Sequence, residues 1–246
     1  MIAGITRVRN ESLIIADTIE HFLCWCDFIW LYDDCSDDDT AEIAERVGGD
    51  RITVIRGDRW RLNRVAEETR HRGLLINEAR THGADWCLCF DADERLVGEL
   101  PDLYEAAWRA DGYRFRLFDG YLTTTFPVEY ASGELQYLPR MWGPEYRDIL
   151  MLFKIDRAKY VGLDRREPMF NGRIEQSNMF VKHFGKCLSV DHWEQTCDYY
   201  AKYFPARYQK KWENRKGKAI HTTSDFGREL FAWDDLMTNL NAWVKI

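Results

Sequence analysis

Two aspartates separated by one residue follow a short apolar segment of the chain, residues 86–90. An apolar run of this length that stops at charged residues predicts a buried strand whose carboxyl end opens into a cleft. Asp91 and Asp93 then point to the same side, because side chains alternate along an extended chain. Two carboxylates on one side suit Mg²⁺ or Mn²⁺, whose other ligands are often water and phosphate oxygens. Taken alone, the segment fits a strand followed by a solvated acidic turn equally well.

Polar residues also follow two earlier strand-like segments, residues 2–6 and 28–32. Residues 9–11 come after the first segment, and the acidic run 33–39 comes after the second. Predicted helices at 13–23 (capped by Ser12), 41–47 and 67–81, and a further strand at 52–55, alternate with these strands. This alternation predicts an α/β fold with a mainly parallel, Rossmann-like sheet flanked by helices. Since ligands bind at the carboxyl ends of such strands, we expect the polar clusters to face one site.

The pattern is weaker in the second part of the chain. It predicts a helix at 101–110, strands at 112–118, 149–155 and 179–185, and a helix at 190–203. Between residues 119 and 173 we expect irregular structure or hairpins that form an acceptor pocket. We therefore predict a single domain with a donor-binding half, 1–120, and an acceptor-binding and helical half, 121–246.

Composition restricts the class of protein. The chain has 246 residues and a net charge of −7, which argues against a general nucleic-acid coat protein. No apolar run reaches membrane-spanning length, and the start of the chain has no signal-peptide layout. The pairs Cys24/Cys26 and Cys87/Cys89 lack zinc spacing and lie in apolar runs, so we expect reduced core thiols. These features predict a cytoplasmic protein, with peripheral membrane binding as an alternative.

Four motifs, taken in order, resemble those of the family 2 glycosyltransferases of GT-A fold. Arg9-Asn10-Glu11 follows the first strand, residues 33–40 match the pattern D-D-x-S-x-D-x-T, and residues 91–93 form the D-x-D motif. Residues 70–74 are similar to the family's R-N-x-G-L, with His71 in place of Asn. The resemblance covers about residues 1–120 and is loose beyond them.

The resemblance implies transfer of a sugar from a nucleotide-diphospho-sugar, with UDP as the expected nucleotide, to a hydroxyl group. The implied acceptors are a glycan, a lipid-linked sugar or another biopolymer, and the implied cofactor is Mn²⁺ or Mg²⁺. Asp33 matches the acid that contacts the base, Arg70 matches the arginine that approaches the nucleotide, and Asp91 lies near the ribose. Asp37, Asp38 and Asp39 are expected to be capping and surface residues. The whole implied donor site is Thr6, Arg9, Glu11, Asp33, Asp34, Arg70, Asp91, Ala92 and Asp93.

The resemblance also implies a metal site formed by Asp91, Asp93 and a histidine late in the chain. His183 ends a predicted strand and is the expected ligand, with His192 as the alternative. An ordinary half-buried histidine fits His183 equally well.

The catalytic base is expected at Asp164 or Glu167, where the resemblance places the family's base segment. A carboxylate there would accept the proton of the acceptor hydroxyl if transfer inverts the anomeric configuration. The family's acidic pair is not plainly present, so inverting and retaining transfer both stay open. Ion pairs with Arg165 and Arg166 on the surface are the alternative role.

Three other classes compete with this interpretation. Asp34, Ser36, Asp38 and Glu45 have the spacing of a calcium loop, but Asp39 stands where such loops need Gly and a strand precedes them. A sugar nucleotidyltransferase usually has a Gly-rich loop with a basic residue after its first strand, and Gly4 alone does not make one. A non-catalytic nucleotide-binding module would not need the long region beyond Phe118.

Aromatic and basic residues alternate between residues 199 and 221. The basic residues are Lys202, Arg207, Lys210, Lys211, Arg215, Lys216 and Lys218, and the aromatic residues include Tyr203, Phe204, Tyr208 and Trp212. Such a segment suits an anionic acceptor, either a phospholipid-linked sugar at a membrane surface or a nucleic acid. A solvated helix face is the simpler interpretation.

Overall fold

The computed structural model describes every residue except 59, 61–62, 101–108, 163–165 and 244. The chain divides into two compact units. The first unit comprises Met1–Ala92, Gly98–Phe115 and Ile149–Met179, and the second comprises Asp93–Val97, Arg116–Asp148 and Phe180–Ile246. The predicted boundary at residue 120 concerns ligands rather than packing, so it stays a prediction.

The first unit is a sheet with helices packed on it. Its first four strands are β1 (Ile2–Val8), β2 (Phe28–Asp33), β3 (Ile52–Arg56) and β4 (Trp86–Cys89). They lie in the order β3-β2-β1-β4 and are parallel, with Ile5 opposite Trp30 in β2 and Cys89 in β4. The predicted α/β class with a parallel, helix-flanked sheet is thereby confirmed. Residues 152–154 of β7 (Met141–Lys154) add an antiparallel strand beside β4.

The order of these strands places a ligand site. The chain builds β2 and β3 on one side of β1 and then returns to build β4 on the other side. Such a reversal leaves a crevice at the carboxyl ends of the two strands, and open α/β sheets bind ligands there. In this unit the crevice lies where Val8 ends β1 and Cys89 ends β4.

Helices α1 (Ile15–Phe22), α2 (Thr40–Gly48) and α3 (Arg64–Thr81) connect the parallel strands. Leu75, Ile76 and Ala79 of α3 pack into a core with Ala3 and Cys87 of the sheet. Burying a side chain as large as leucine contributes roughly 1.5–3 kcal/mol, so this face holds α3 on the strands. The α3 helix begins three residues before the predicted start, because the Asn63 side chain caps it by accepting from Ala66 N at 3.1 Å.

The second unit contains antiparallel pairing between β5 (Glu94–Val97) and the end of β10 (Ile174–His183). His183 lies opposite Glu94 in this ladder. Helices α4 (Val190–Tyr203), α5 (Ala206–Glu213) and α6 (Trp233–Thr238) follow in the chain. The remaining strands of the chain are β6 (Gly112–Tyr121) and the short pair β8 (Ala158–Lys159) and β9 (Met169–Phe170).

Several expectations need correction. Ser12 does not cap α1, whose N-cap is Ile14; instead the Ser12 N–H donates to Asp38. The expected irregular region contains β7, 14 residues long, whose first half the scattered Gly, Pro and charged residues conceal in the sequence. Glu94 begins a strand that the sequence pattern did not indicate, and Cys24 is exposed rather than part of the core. The helix predicted at 101–110 lies largely outside the described residues.

Among the described residues, no helix combines the length and the hydropathy that a membrane crossing requires.

Candidate functional site

The loops after β1 and β2 hold each other in place. Asn10 and Cys35 both have a positive φ, 56° and 58°, which is uncommon for residues other than glycine and recurs at functional sites. The Asn10 N–H donates to Ser36 Oγ at 2.9 Å, and Asn10 Oδ1 accepts from Asp37 N at 3.0 Å. The two loops therefore form one rigid edge at the crevice of the first unit.

The second half of the D-D-x-S-x-D-x-T motif is structural. Thr40 Oγ1 accepts from the Glu11 N–H at 2.8 Å, and Asp38 accepts from the N–H groups of Ser12 and Thr40, each at 3.1 Å. Burial alone would raise the pKa of Asp38, but these hydrogen bonds outweigh it and lower the pKa. Asp38 thus satisfies the N–H of Thr40, the first residue of α2, whereas the N-cap position itself is Asp39. Glu11, predicted to bind the donor, has its backbone fixed by this contact.

The buried carboxylate of Asp34 contacts two arginines and a tryptophan. It pairs with Arg7 at very short range and with Arg9 at 3.8 Å, and it accepts from the indole N–H of Trp60 at 2.8 Å. Burial raises the pKa of Asp34, although these three partners oppose the shift. The guanidinium of Arg9 also lies over the Trp60 ring, 5.4 Å from its centroid. Asp34 thus orients Arg9 and Trp60 at the carboxyl ends of β1 and β2.

His71 occupies the position where the related motif has Asn. Its ring stacks on Tyr32 with centroids 3.7 Å apart, and its Nδ1 accepts from Arg7 Nε at 3.2 Å. The Nε2 atom lies 3.1 Å from Glu67, and Arg70 donates to the same carboxylate at 2.7 Å. Burial, together with the nearby Arg7 and Arg70, lowers the pKa of His71 to about 3, so the imidazole is neutral. His71 is therefore an uncharged hydrogen-bonding group beside Arg70, at the position where the similar motif has Asn.

Asp33 and Thr6 lie at the same carboxyl edge. Asp33 is the last residue of β2, and its Oδ1 accepts from the Ser36 N–H at 3.3 Å and from the Ser36 hydroxyl. Thr6 is fully buried in β1, and within the described part of the chain its hydroxyl has no hydrogen-bond partner. Their predicted roles toward a nucleotide stay predictions.

Asp91 is held by two arginines of the first unit. Its Oδ1 pairs with Arg72 at 2.7 Å and its Oδ2 with Arg166 at 3.2 Å. The carbonyl of Ala92 accepts from the hydroxyl of Thr18 at 2.7 Å, which anchors the backbone after Asp91. Each oxygen of Asp91 thus already faces an arginine, and its role as a metal ligand stays a prediction.

Asp93 and His183 meet in the second unit. Asp93 Oδ2 lies 3.1 Å from His183 Nε2, and His183 Nδ1 lies 2.5 Å from Asp119 Oδ1. Burial opposes protonation of the imidazole, but Asp93 and Asp119 outweigh it and raise the pKa of His183 to about 10. The imidazole therefore bridges two carboxylates with both of its nitrogens.

The Asp93 and His183 pair fits a divalent cation. The 3.1 Å between Oδ2 and Nε2 is near the edge of an octahedron with ligands at about 2.1 Å, which is roughly 3.0 Å. Gly185 leaves room at this point, since a Cβ there would overlap Asp93 Oδ2 and lie 3.0 Å from His183 Nε2. No group of three His, Cys, Asp or Glu side chains suited to a metal is present among the described residues. A cation here would thus take further ligands from water or substrate.

The two candidates for the catalytic base remain untested. Glu167 makes a bidentate ion pair with Arg114, with N–O distances of 3.0 and 2.9 Å. Asp164 lies outside the described residues. His192, the alternative metal ligand, lies in the first turn of α4, where its N–H donates to the capping Ser189 Oγ at 3.0 Å. The structure therefore brings His183, the preferred histidine, to Asp93.

Sequence reasoning missed Arg7 and Asp119. Asp119 follows the predicted strand 112–118 directly, and an acid at the end of an alternating run was a usable signal. For Arg7 the sequence contains only a weak signal, because Arg7 reaches Asp34 and His71 through the fold.

The structure also has a cavity of about 710 Å³ between α3 and residues 156–162, lined in part by Arg70 and Lys159.

Comparison with known proteins gives distant likenesses. No family model and no curated protein matches the chain. HddC from Yersinia pseudotuberculosis is 12% identical with a TM-score of 0.44, over 81% of this chain and 100% of that chain. A proposed nucleotide-diphospho-sugar transferase from Desulfovibrio desulfuricans G20 is 9% identical with a TM-score of 0.42, over 100% and 98% of the two chains. A 4-diphosphocytidyl-2C-methyl-D-erythritol synthase is 13% identical with a TM-score of 0.37, over 63% and 74%. Likenesses this low do not assign a family.

Proposed function

We propose that the chain is a glycosyltransferase that transfers a sugar from a nucleotide-diphospho-sugar, most simply a UDP-sugar, to a hydroxyl acceptor with the help of Mn²⁺ or Mg²⁺. One observation carries the proposal. Asp93 of the D-x-D motif and His183, 90 residues later, were singled out as metal ligands from the sequence, and they lie 3.1 Å apart. The same contact is the hydrogen bond of an Asp–His ion pair, so a cation bound here would take the place of the proton on Nε2.

The residues of the first unit suit the donor nucleotide. Asp33 is placed to accept a hydrogen bond from the imide N–H of a uracil base. Arg9 and Arg70 supply positive charge at the carboxyl edge of the sheet, where a diphosphate needs it. A divalent cation, when bound to Asp93 and His183, would neutralise charge on the departing diphosphate. The acceptor hydroxyl needs a base, and Glu167 or Asp164 remains the proposal for it.

A donor screen followed by product analysis tests this function. Thermal shift with nucleotide sugars, with and without Mn²⁺, identifies the donor, because a ligand that binds the folded state raises Tm by mass action. The selected donor is then incubated with candidate acceptors, and the released nucleotide is measured by ³¹P NMR. Glycosyl transfer releases a nucleoside diphosphate. Release of pyrophosphate from a nucleoside triphosphate and a sugar phosphate would instead identify a nucleotidyltransferase. Stabilisation by nucleotides with neither reaction would identify a binding module.

Asp33→Asn is expected to weaken binding of the cognate nucleotide by roughly 10–150-fold. The estimate comes from the loss of a charge-assisted hydrogen bond, which costs about 1.5–3 kcal/mol. Calorimetric titration of nucleotide into both proteins measures the change. Ser36→Ala is the control for lost loop contacts, because it removes the hydroxyl that bonds Asp33 and Asn10 and leaves the Asp33 carboxylate. Equal affinity of Asp33→Asn and the wild type would rule out base recognition by this residue.

Variants of the basic residues after α4 distinguish an anionic acceptor from a neutral one. Lys210, Lys211 and Lys218 are exposed, whereas Lys216 already pairs with Asp198 at 2.5 Å. For an anionic acceptor, changing the first three to Gln should raise the acceptor KM, with the donor KM unchanged and the effect smaller at high salt. Lys216→Gln is the matched control and should have little effect.

The aromatic residues of the same segment are less exposed than the sequence suggested. Trp212 packs against Tyr200 with ring centroids 4.5 Å apart and joins a core cluster with Trp193. Phe204 packs on Tyr200 with ring centroids 4.4 Å apart. The rings of Phe204 and Trp212 therefore both hold α5 against α4. If the lysine variants leave the acceptor KM unchanged, this segment is a solvated surface. The cavity beside α3, lined by residues 156–162, is then the next acceptor site to test.

A further inference from the structure

The backbone of the second unit fixes Asp93 and His183 relative to each other, but it does not fix the imidazole ring. His183 is opposite Glu94 in the β10–β5 ladder, and the Phe184 N–H donates to the Asp93 carbonyl at 2.7 Å. These contacts leave the two side-chain torsions of His183 to be set by other groups. A histidine that binds a metal needs its ring orientation and its tautomer fixed by a partner on its second nitrogen.

We infer that Asp119, to which the sequence assigned no role, is the positioning residue of this metal site. Its Oδ1 accepts from His183 Nδ1 at 2.5 Å, which leaves Nε2 directed at Asp93. Asp119 holds the Nδ1 proton and the imidazole presents Nε2 to Asp93, where a bound cation would take the place of the proton on Nε2. This inference rests on the proposed function for the presence of a cation at Asp93 and His183.

Asp119 is itself held so that it cannot act as a ligand. Arg147 donates to its Oδ1 at 2.7 Å, and Lys186 donates to its Oδ2 at 2.8 Å. Only 12% of the side chain is exposed, and each of its oxygens faces a cation, Arg147 or Lys186. These two contacts hold the carboxylate in place while it supports His183.

The network continues one step beyond Asp119, and this supplies a matched control. Lys186 also donates to Asp225 at 2.9 Å, and Asp225 pairs with Arg215 at 2.6 Å. Asp225 is largely buried and shares Lys186 with Asp119, but its described contacts do not include His183. A general structural role of the network predicts similar effects for both acids. A positioning role predicts an effect on metal binding for Asp119 alone.

The test is Mn²⁺ affinity, measured by electron paramagnetic resonance of the unbound ion, together with Tm. Asp119→Ala is expected to weaken Mn²⁺ binding by about 10–100-fold, as is typical when the partner of a ligating histidine is lost. Asp119→Asn, which keeps an acceptor oxygen and is the milder change for folding, should weaken it by less. Asp225→Asn should lower Tm without changing the Kd for Mn²⁺.

The results distinguish a wrong metal site from a wrong role of Asp119. If the wild type does not bind Mn²⁺ at this site, with Asp93→Ala as reference, the metal site of the proposed function is wrong. If the wild type binds Mn²⁺ and Asp93→Ala loses it, while both Asp119 variants keep the wild-type Kd, the metal site stands and the role of Asp119 is wrong. Equal weakening by Asp225→Asn and Asp119→Asn would also overturn the positioning role.

Discussion

Asp93→Ala is expected to lower kcat/KM for sugar transfer by at least about 10³-fold, with the fold intact. A bound cation contributes several kcal/mol to the stabilisation of a charged leaving group, and about 4 kcal/mol corresponds to this loss. We expect that Asp91 does not replace Asp93 as the proposed ligand, because its two oxygens already pair with Arg72 and Arg166. Steady-state kinetics with the donor found in the screen give the change, and circular dichroism checks folding.

Asp39→Ala is the control for this variant. Asp39 is an exposed acid of the first unit whose side chain makes no cap hydrogen bond to α2, and Asp39→Ala is the same change of side chain. Its kcat/KM should stay within about twofold of the wild type, because surface substitutions away from special features have small effects. Wild-type transfer that continues at full rate in EDTA would show that the cation is not needed, and the role of Asp93 would then be wrong.

The polar residues at the carboxyl ends of the parallel strands could be predicted, because the local sequence pattern shows where each strand ends. A buried run that stops at acids, as at Asp91 and Asp93, is readable from the alternation of strands and helices. The meeting of Asp93 with His183 is different in kind. The sequence named both residues as ligands, but their contact depends on the pairing of β10 with β5, and the strand at Glu94 was not foreseen.

The buried charge pairs could not be predicted for a physical reason. Arg7 and Asp34 are 27 positions apart, and nothing in either local segment shows that one neutralises the other. Arg72 lies in a helical segment with several charged residues and a weak apolar face, a pattern typical of exposed residues, yet only 2% of it is accessible. Charged side chains become buried only where long-range contacts supply partners, and the local sequence pattern does not show those contacts.

The second large effect is expected from Arg72→Met, which should destabilise the protein by about 3–5 kcal/mol at pH 7. Arg72 donates to Glu68 at 2.5 Å and to Asp91 at 2.7 Å, and the variant leaves Glu68 with Arg64 at 3.2 Å as its described partner. Removing the buried cation that Glu68 and Asp91 share leaves each carboxylate with one fewer positive partner, which accounts for the size of the loss. Urea unfolding measures it, with the exposed Arg46→Met as the control for the change of side chain.

The same variant has a predicted pH signature, because burial raises the pKa of Glu68 less than Arg72 and Arg64 lower it, to about 2 from an ordinary 4.5. A carboxyl whose pKa is depressed by folding stabilises the protein above about pH 4.5, and this contribution is lost as pH falls toward 2. Without Arg72 the pKa of Glu68 should rise, so the variant has less of this stability to lose. The difference in unfolding free energy between wild type and Arg72→Met should therefore shrink between pH 7 and pH 3. A difference that stays constant over this range would mean that Arg72 stabilises the core through packing of its aliphatic part rather than through its charge.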